Sequence, residues 1–123
     1  MGEAQGEKRY DLEDRTFQFA SRVRAMLRRV PRRLGNLSDA DQLVRSSGSV
    51  GANYIEANEA LGKKDFLMRI RICRKEAKES AYWLRLLDVA EDRALVTERD
   101  ALVQESVELA SLFGAILRNS QGR

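Results

Sequence analysis

Two pairs of carboxylates stand at i, i+3 spacing: Glu56 with Glu59, and Glu76 with Glu79. Placed on two helices, four such groups are the one set in the chain that resembles a divalent-cation site. Nothing softer accompanies them. The chain has one cysteine, Cys73, and no histidine, so neither a Cys/His zinc set nor the Glu-x-x-His motif of di-iron bundles can be assembled. A nucleophilic thiol needs an activating neighbour, and histidine, the usual one, is missing. There is no P-loop and no G-x-G-x-x-G pattern. The simpler reading of the carboxylates is helix-surface charge paired with Arg or Lys. No metal, no cofactor and no catalytic activity is expected.

Basic residues offer a different chemistry. Arg15, Arg22 and Arg29 lie seven apart, and Arg24, Arg28, Arg32 and Arg33 stand beside them. A second set comprises Lys63, Lys64, Arg69, Arg71, Arg74, Lys75 and Lys78. Arginine presents a planar fork of donors that fits phosphate. The first-choice nucleic-acid contacts are Arg15, Arg22, Arg29, Arg32, Arg33, Lys63, Lys64, Arg71, Arg74 and Lys78. Acidic residues are interspersed and the formal net charge is only +3, so one copy carries a weak field. No aromatic platform of the kind that reads bases in RRM or OB domains is evident, so sequence-specific readout is not expected.

Helices must position these groups. Leu12, Thr16, Phe19, Val23, Met26 and Val30 recur at spacings of four and three, one face of a helix over about 11–30, with Phe17, Ala20 and Leu27 widening it. Pro31 marks its stop. A second helix is expected over about 39–61, with Ser38 as N-cap and Gly62 after its end. Its run Ser46-Ser47-Gly48-Ser49 and Gly51-Ala52 is poor in helix propensity. Helical spacing nevertheless persists through Val44, Ser47, Gly51, Tyr54 or Ile55, and Asn58, and small pairs at i, i+4 let two helix axes approach closely. A third helix over about 63–88 carries the stripe Phe66, Ile70, Cys73, Ala77, Leu84 and Leu87. A second apolar group, Met68, Ile72, Tyr82, Trp83 and Leu86, lies off that stripe and predicts an interface through Tyr82 and Trp83. A fourth helix over about 98–119 carries Leu102, Ser106, Leu109, Phe113 and Ile116, with Thr97 and Asp100 at capping-box spacing. Short links between four such helices make neighbours antiparallel.

The predicted architecture is therefore an all-α, antiparallel up-down-up-down four-helix bundle over residues 10–119, with a disordered tail at 1–9 and a frayed C-terminus at 120–123. At 123 residues the chain is the size of one domain. It shows no apolar leader and no stretch of about 20 apolar residues. A lone cysteine amid apolar residues suits a reducing compartment, so a cytoplasmic protein is expected. Charge alternates along the chain: residues 8–33 and 63–88 are net basic, and residues 34–62 and 89–119 net acidic. Complementary pairing inside the bundle would account for that alternation by itself.

The stretch Arg45-Ser46-Ser47-Gly48-Ser49-Val50-Gly51-Ala52-Asn53-Tyr54-Ile55-Glu56-Ala57 resembles the second-helix signature of the bacterial 23S rRNA-intervening-sequence proteins. Gly62-Lys63-Lys64-Asp65-Phe66, Lys78-Glu79-Ser80-Ala81-Tyr82-Trp83-Leu84 and the helix end at Val30-Pro31 are similar to that family too. The likeness covers about residues 10–119; Asn58 departs from it, standing where many relatives have glycine. It implies a four-helix bundle that assembles with itself, as a ring-like pentamer, and an association with RNA. A similar bundle is the accessory protein of diversity-generating retroelements, which works with a reverse transcriptase. The resemblance thus leaves two expectations: RNA bound directly, or a scaffold that docks a partner protein. Within the signature, Arg45, Ser49, Asn53 and Glu56 are expected to form a polar network that fixes helix register, or a contact across a subunit interface or to a ligand.

Overall fold

The computed structural model describes the backbone of residues 2–121 and the side chains of residues 12–120, so the expected polar tails fall largely outside the described side chains. Four helices follow in order: α1 (Gly2–Leu27), α2 (Leu34–Asn58), α3 (Lys63–Leu86) and α4 (Arg93–Gln121). No strand occurs among the described residues. Each helix packs on its chain neighbours and α4 closes onto α1, while the diagonal pairs do not meet backbone to backbone.

Side-chain ladders give the directions. Arg15 meets Glu105 and Arg22 meets Glu98, and past the helix ends Arg29 meets Asp92, so numbers rise along α1 as they fall along α4. Arg45 meets Glu76 and Asn53 meets Arg69 between α2 and α3. Arg24 meets Ser47 and Glu13 meets Asn58 between α1 and α2. The bundle is antiparallel throughout.

The core is built from the expected stripes of α1, α3 and α4: Phe19, Val23 and Met26; Ile70, Cys73, Ala77 and Leu84; Leu102, Leu109 and Phe113. Two assignments change. Phe17 is 65% exposed instead of widening the α1 stripe. On α2 the inward residues are Leu43, Ser46, Ser47, Val50, Tyr54 and Ala57, so Ser47 and Tyr54 stand where expected, while Leu43 takes the inward place of Val44, and Val44 and Ile55 are exposed. The small-residue run behaves as its spacing predicts. A Cβ on Gly51 would stand 2.9 Å from Thr16 Oγ1, so α1 and α2 touch at a point where only glycine fits.

Helix ends differ from expectation where links are structured. Helical geometry stops at Leu27, and a turn carries Val30 into the core ahead of Pro31. Helix α2 starts at Leu34, so Ser38 lies inside it. Its start is fixed by buried Asn36, whose Nδ2 donates to Pro31 O at 2.9 Å and Asp88 O at 2.8 Å while Oδ1 accepts the Asp88 N–H at 2.9 Å. One amide thus pins the α1–α2 link to the α3–α4 link. Gly62 acts as the extended N-cap of α3. Asp92, not Thr97, caps α4, its Oδ1 accepting the Leu95 N–H at 3.0 Å. None of the described helices is long and apolar enough to cross a membrane.

Candidate nucleic-acid interface

The two basic sets part company in three dimensions. Arg15 donates from Nε and Nη2 to the two oxygens of Glu105, at 2.7 and 2.8 Å, and from Nη2 to Glu108 at 3.2 Å. Arg22 grips Glu98 at 3.0 and 3.3 Å. These carboxylates raise the pKa of both guanidinium groups, the hydrogen bond to Glu105 or Glu98 contributing most. Arg29 reaches Asp92 at 4.0 Å, and Arg33 pairs with Asp88. Asp88 titrates below its ordinary range, chiefly because it accepts the Ala90 N–H and secondarily because Arg33 is beside it. Four arginines expected at a nucleic-acid surface therefore lean on carboxylates of α4 and the link before it. Arg32 stays exposed, and no ion pair engages it among the described residues.

Helix α3 is different. Lys64, Arg71, Lys78 and Arg85 lie seven residues apart, and all are exposed. At 1.5 Å per residue they form a row about 31 Å long. Arg74 is exposed beside the row, and Arg118 joins it from α4. None of these six makes an ion pair among the described residues. Lys63 is likewise exposed and unpaired at the helix start. Arg74 and Arg118 converge over Gly114: a Cβ built there would lie 4.0 Å from Arg74 Nε and 3.4 Å from Arg118 Nη1. Two like charges brought together this way favour an anion between them. Beneath them runs a groove of about 390 Å³ between α3 and α4, with Ala81, Val107, Ala110, Ser111 and Gly114 in its lining. Sequence reasoning missed Arg85 and Arg118. The seven-residue spacing from Lys64 would have found the first; nothing in the linear order points to the second.

The signature residues serve the fold. Arg45 Nη1 donates to Glu76 Oε2 at 2.9 Å, and Glu76 is almost fully buried. Asn53 donates from Nδ2 to Ser49 O and Ser49 Oγ, both at 2.9 Å, and its Oδ1 accepts from Arg69 Nη1 at 3.1 Å. Ser46 and Ser80 share a buried hydroxyl contact at 2.9 Å. Glu56 stands outside this network, exposed and unpaired among the described residues. Its expected partnership with Asn53 does not form: the two lie one turn apart, but Asn53 is already engaged by Ser49 and Arg69. Cys73 is buried, and desolvation pushes its thiol up to about 12, so it is an inert core residue.

The off-stripe group of α3 divides. Met68, Tyr82 and Leu86 are exposed, whereas Trp83 packs partly against the core. The rings of Tyr82 and Trp83 meet edge to face, with centroids 5.0 Å apart.

A crystal structure of a protein with unknown function from the S23 ribosomal protein family, from Bacteroides thetaiotaomicron, superposes with a TM-score of 0.77. The two chains are 27% identical over 90% of this one and 98% of that one. No curated protein matches the chain. Residues 8–114 match the model of the 23S rRNA-intervening sequence protein family, which spans all four helices and includes the α2 signature and the α3 basic row. The chain is a member of that family.

Proposed function

We propose that this bundle is a non-enzymatic, self-associating protein that binds RNA or another nucleic acid through its phosphate backbone, using the cation row of α3. The observation that carries the reading is the contrast between the two basic sets. Arg15, Arg22, Arg29 and Arg33 are ion-paired within the bundle, while Lys64, Arg71, Arg74, Lys78, Arg85 and Arg118 are exposed and make no ion pair among the described residues. The proposed interface is therefore narrower than the first-choice set and moves from helices 1 and 3 to α3 and the end of α4. Interior polar groups support the non-catalytic part, since buried Glu76 and Ser46 each have a partner; the one buried side-chain polar atom without one among the described residues is Trp83 Nε1.

Self-association is assigned to the opposite side of the bundle. There Phe17 and Ile55, 65% and 53% exposed, flank a groove floored by Gly48, Gly51 and Ala52. Glu13 lines the same groove, and Glu56 and Glu59 are exposed nearby on α2. Exposed apolar side chains over small residues, with Arg24 beside the carboxylates, suit a contact between copies, and using this face leaves the α3 row free for nucleic acid. The second reading, a scaffold that docks a partner protein, uses this same α1/α2 face and needs no nucleic acid.

Light scattering with a labelled RNA titration separates the readings. The proposal expects an oligomer that Phe17→Glu reduces to a monomer, and RNA binding that Arg71→Glu with Lys78→Glu abolishes. A protein indifferent to RNA at low salt would leave the scaffold.

A further inference from the structure

The α3 row runs between two grooves, and Arg74 and Lys78 line both. On the side away from α4, a groove of about 520 Å³ is bounded by Arg71, Lys75, Glu79 and Tyr82 as well. Glu79 directs its carboxylate toward Arg45, 3.8 Å away. Tyr82 is 56% exposed, and its hydroxyl has no partner among the described residues. Its ring is nevertheless held. Trp83 meets it at an interplanar angle of 76°, and Trp83 is itself packed against the core. Tyr82 lies four residues after Lys78 and three before Arg85, so it shares their helix face.

An exposed, buttressed aromatic ring among unpaired cations joins a π surface to phosphate-binding charge. A duplex keeps its base faces stacked inside and offers this ring nothing. A single strand offers both a backbone and free base faces. We propose that the α3 surface takes single-stranded nucleic acid, with phosphates along Arg71, Arg74 and Lys78 and one base laid on the Tyr82 ring. This rests on the backbone-binding reading above and narrows its substrate class. Stacking on one ring tolerates any base, so the selectivity is for strandedness and not for sequence.

The test is fluorescence anisotropy with a labelled oligouridine strand, an RNA duplex of equal length, and inorganic polyphosphate as a charge-only competitor. Tyr82→Ala weakens single-strand binding about tenfold. Tyr82→Phe binds like wild type, and duplex and polyphosphate affinities stay unchanged in both variants. If Tyr82→Ala binds the single strand like wild type while Arg71→Glu with Lys78→Glu does not, the stacking role is overturned and backbone binding stands. If Tyr82→Ala loses all three polyanions alike, or changes the mass seen by light scattering, Tyr82 is an assembly residue and the proposal is wrong. If wild type binds none of the three, both readings fall.

Discussion

Arg45 Nη1 lies 2.9 Å from Glu76 Oε2, joining a half-exposed guanidinium on α2 to a carboxylate on α3 whose side chain is 3% exposed. The pair sits one turn from the Ser46–Ser80 hydroxyl contact, so two polar links fix one register between the helices. Removing Arg45 leaves a buried charge with only the longer Lys75 contact, 3.9 Å from Glu76 Oε1. Arg45→Ala should destabilise the bundle by about 2 kcal/mol in urea melts, less than the ~3–5 of a fully buried pair because the arginine is solvated. Glu76→Gln, which keeps the shape and sheds the charge, should cost less than Arg45→Ala. The opposite order would show that the pair does not set the register.

The Arg15–Glu105 pair is the clearest case of a basic residue working inside the fold. Arg15→Ala should lower stability by about 1 kcal/mol and leave nucleic-acid affinity within about twofold. Thermal melts and anisotropy on the same variant check both halves. Strong loss of RNA binding without loss of stability would return α1 to the interface.

Gly51 and Gly114 should respond in opposite directions to alanine. At Gly51 the new methyl meets the stiff, buried Thr16 at 2.9 and 3.2 Å, forcing α1 from α2 at a cost of about 2 kcal/mol. At Gly114 the nearest atom is the mobile end of Arg118, at 3.4 Å. Relief of glycine's helix penalty should then stabilise the chain by up to about 1 kcal/mol. Denaturation midpoints for the two variants decide it.

Cys73 gives a pH handle. Burial raises its folded pKa to about 12, above the ordinary thiol value that the unfolded chain retains. Between those two values the unfolded state releases a proton that the native state keeps, so this contribution to stability falls as pH rises through that window. Below it the thiol is protonated in both states and contributes no slope. Thiol labelling at neutral pH should follow global unfolding, slow in buffer and fast in denaturant. Rapid labelling of the native protein would contradict the burial.

Most of the bundle was legible in linear order because α1, α3 and α4 carry unbroken stripes at helical spacing. Helix α2 was legible as a helix, with Ser47 and Tyr54 inward, but not in the inward place of Leu43. Ser46, Ser47, Gly48 and Ser49 give almost no hydrophobic contrast, so Val44 and Leu43 compete for the inward position. Asn36 was invisible as a staple, since its partners Pro31 and Asp88 belong to two different links. The α1 arginines read as a basic surface because their carboxylates lie far along the chain, Arg15 from Glu105 and Arg22 from Glu98. Charge alternation between segments hinted at that pairing. Only the fold shows that it takes up α1 and spares α3.

The most direct measurement of the central claim is the salt dependence of RNA affinity for wild type, Arg71→Glu with Lys78→Glu, and Arg15→Ala with Arg22→Ala. The account predicts a steep linear fall of log affinity with log salt for wild type and for the α1 variant. The α3 variant should bind weakly with a shallower slope. Equal losses in both variants, or an affinity that salt does not change, would contradict it.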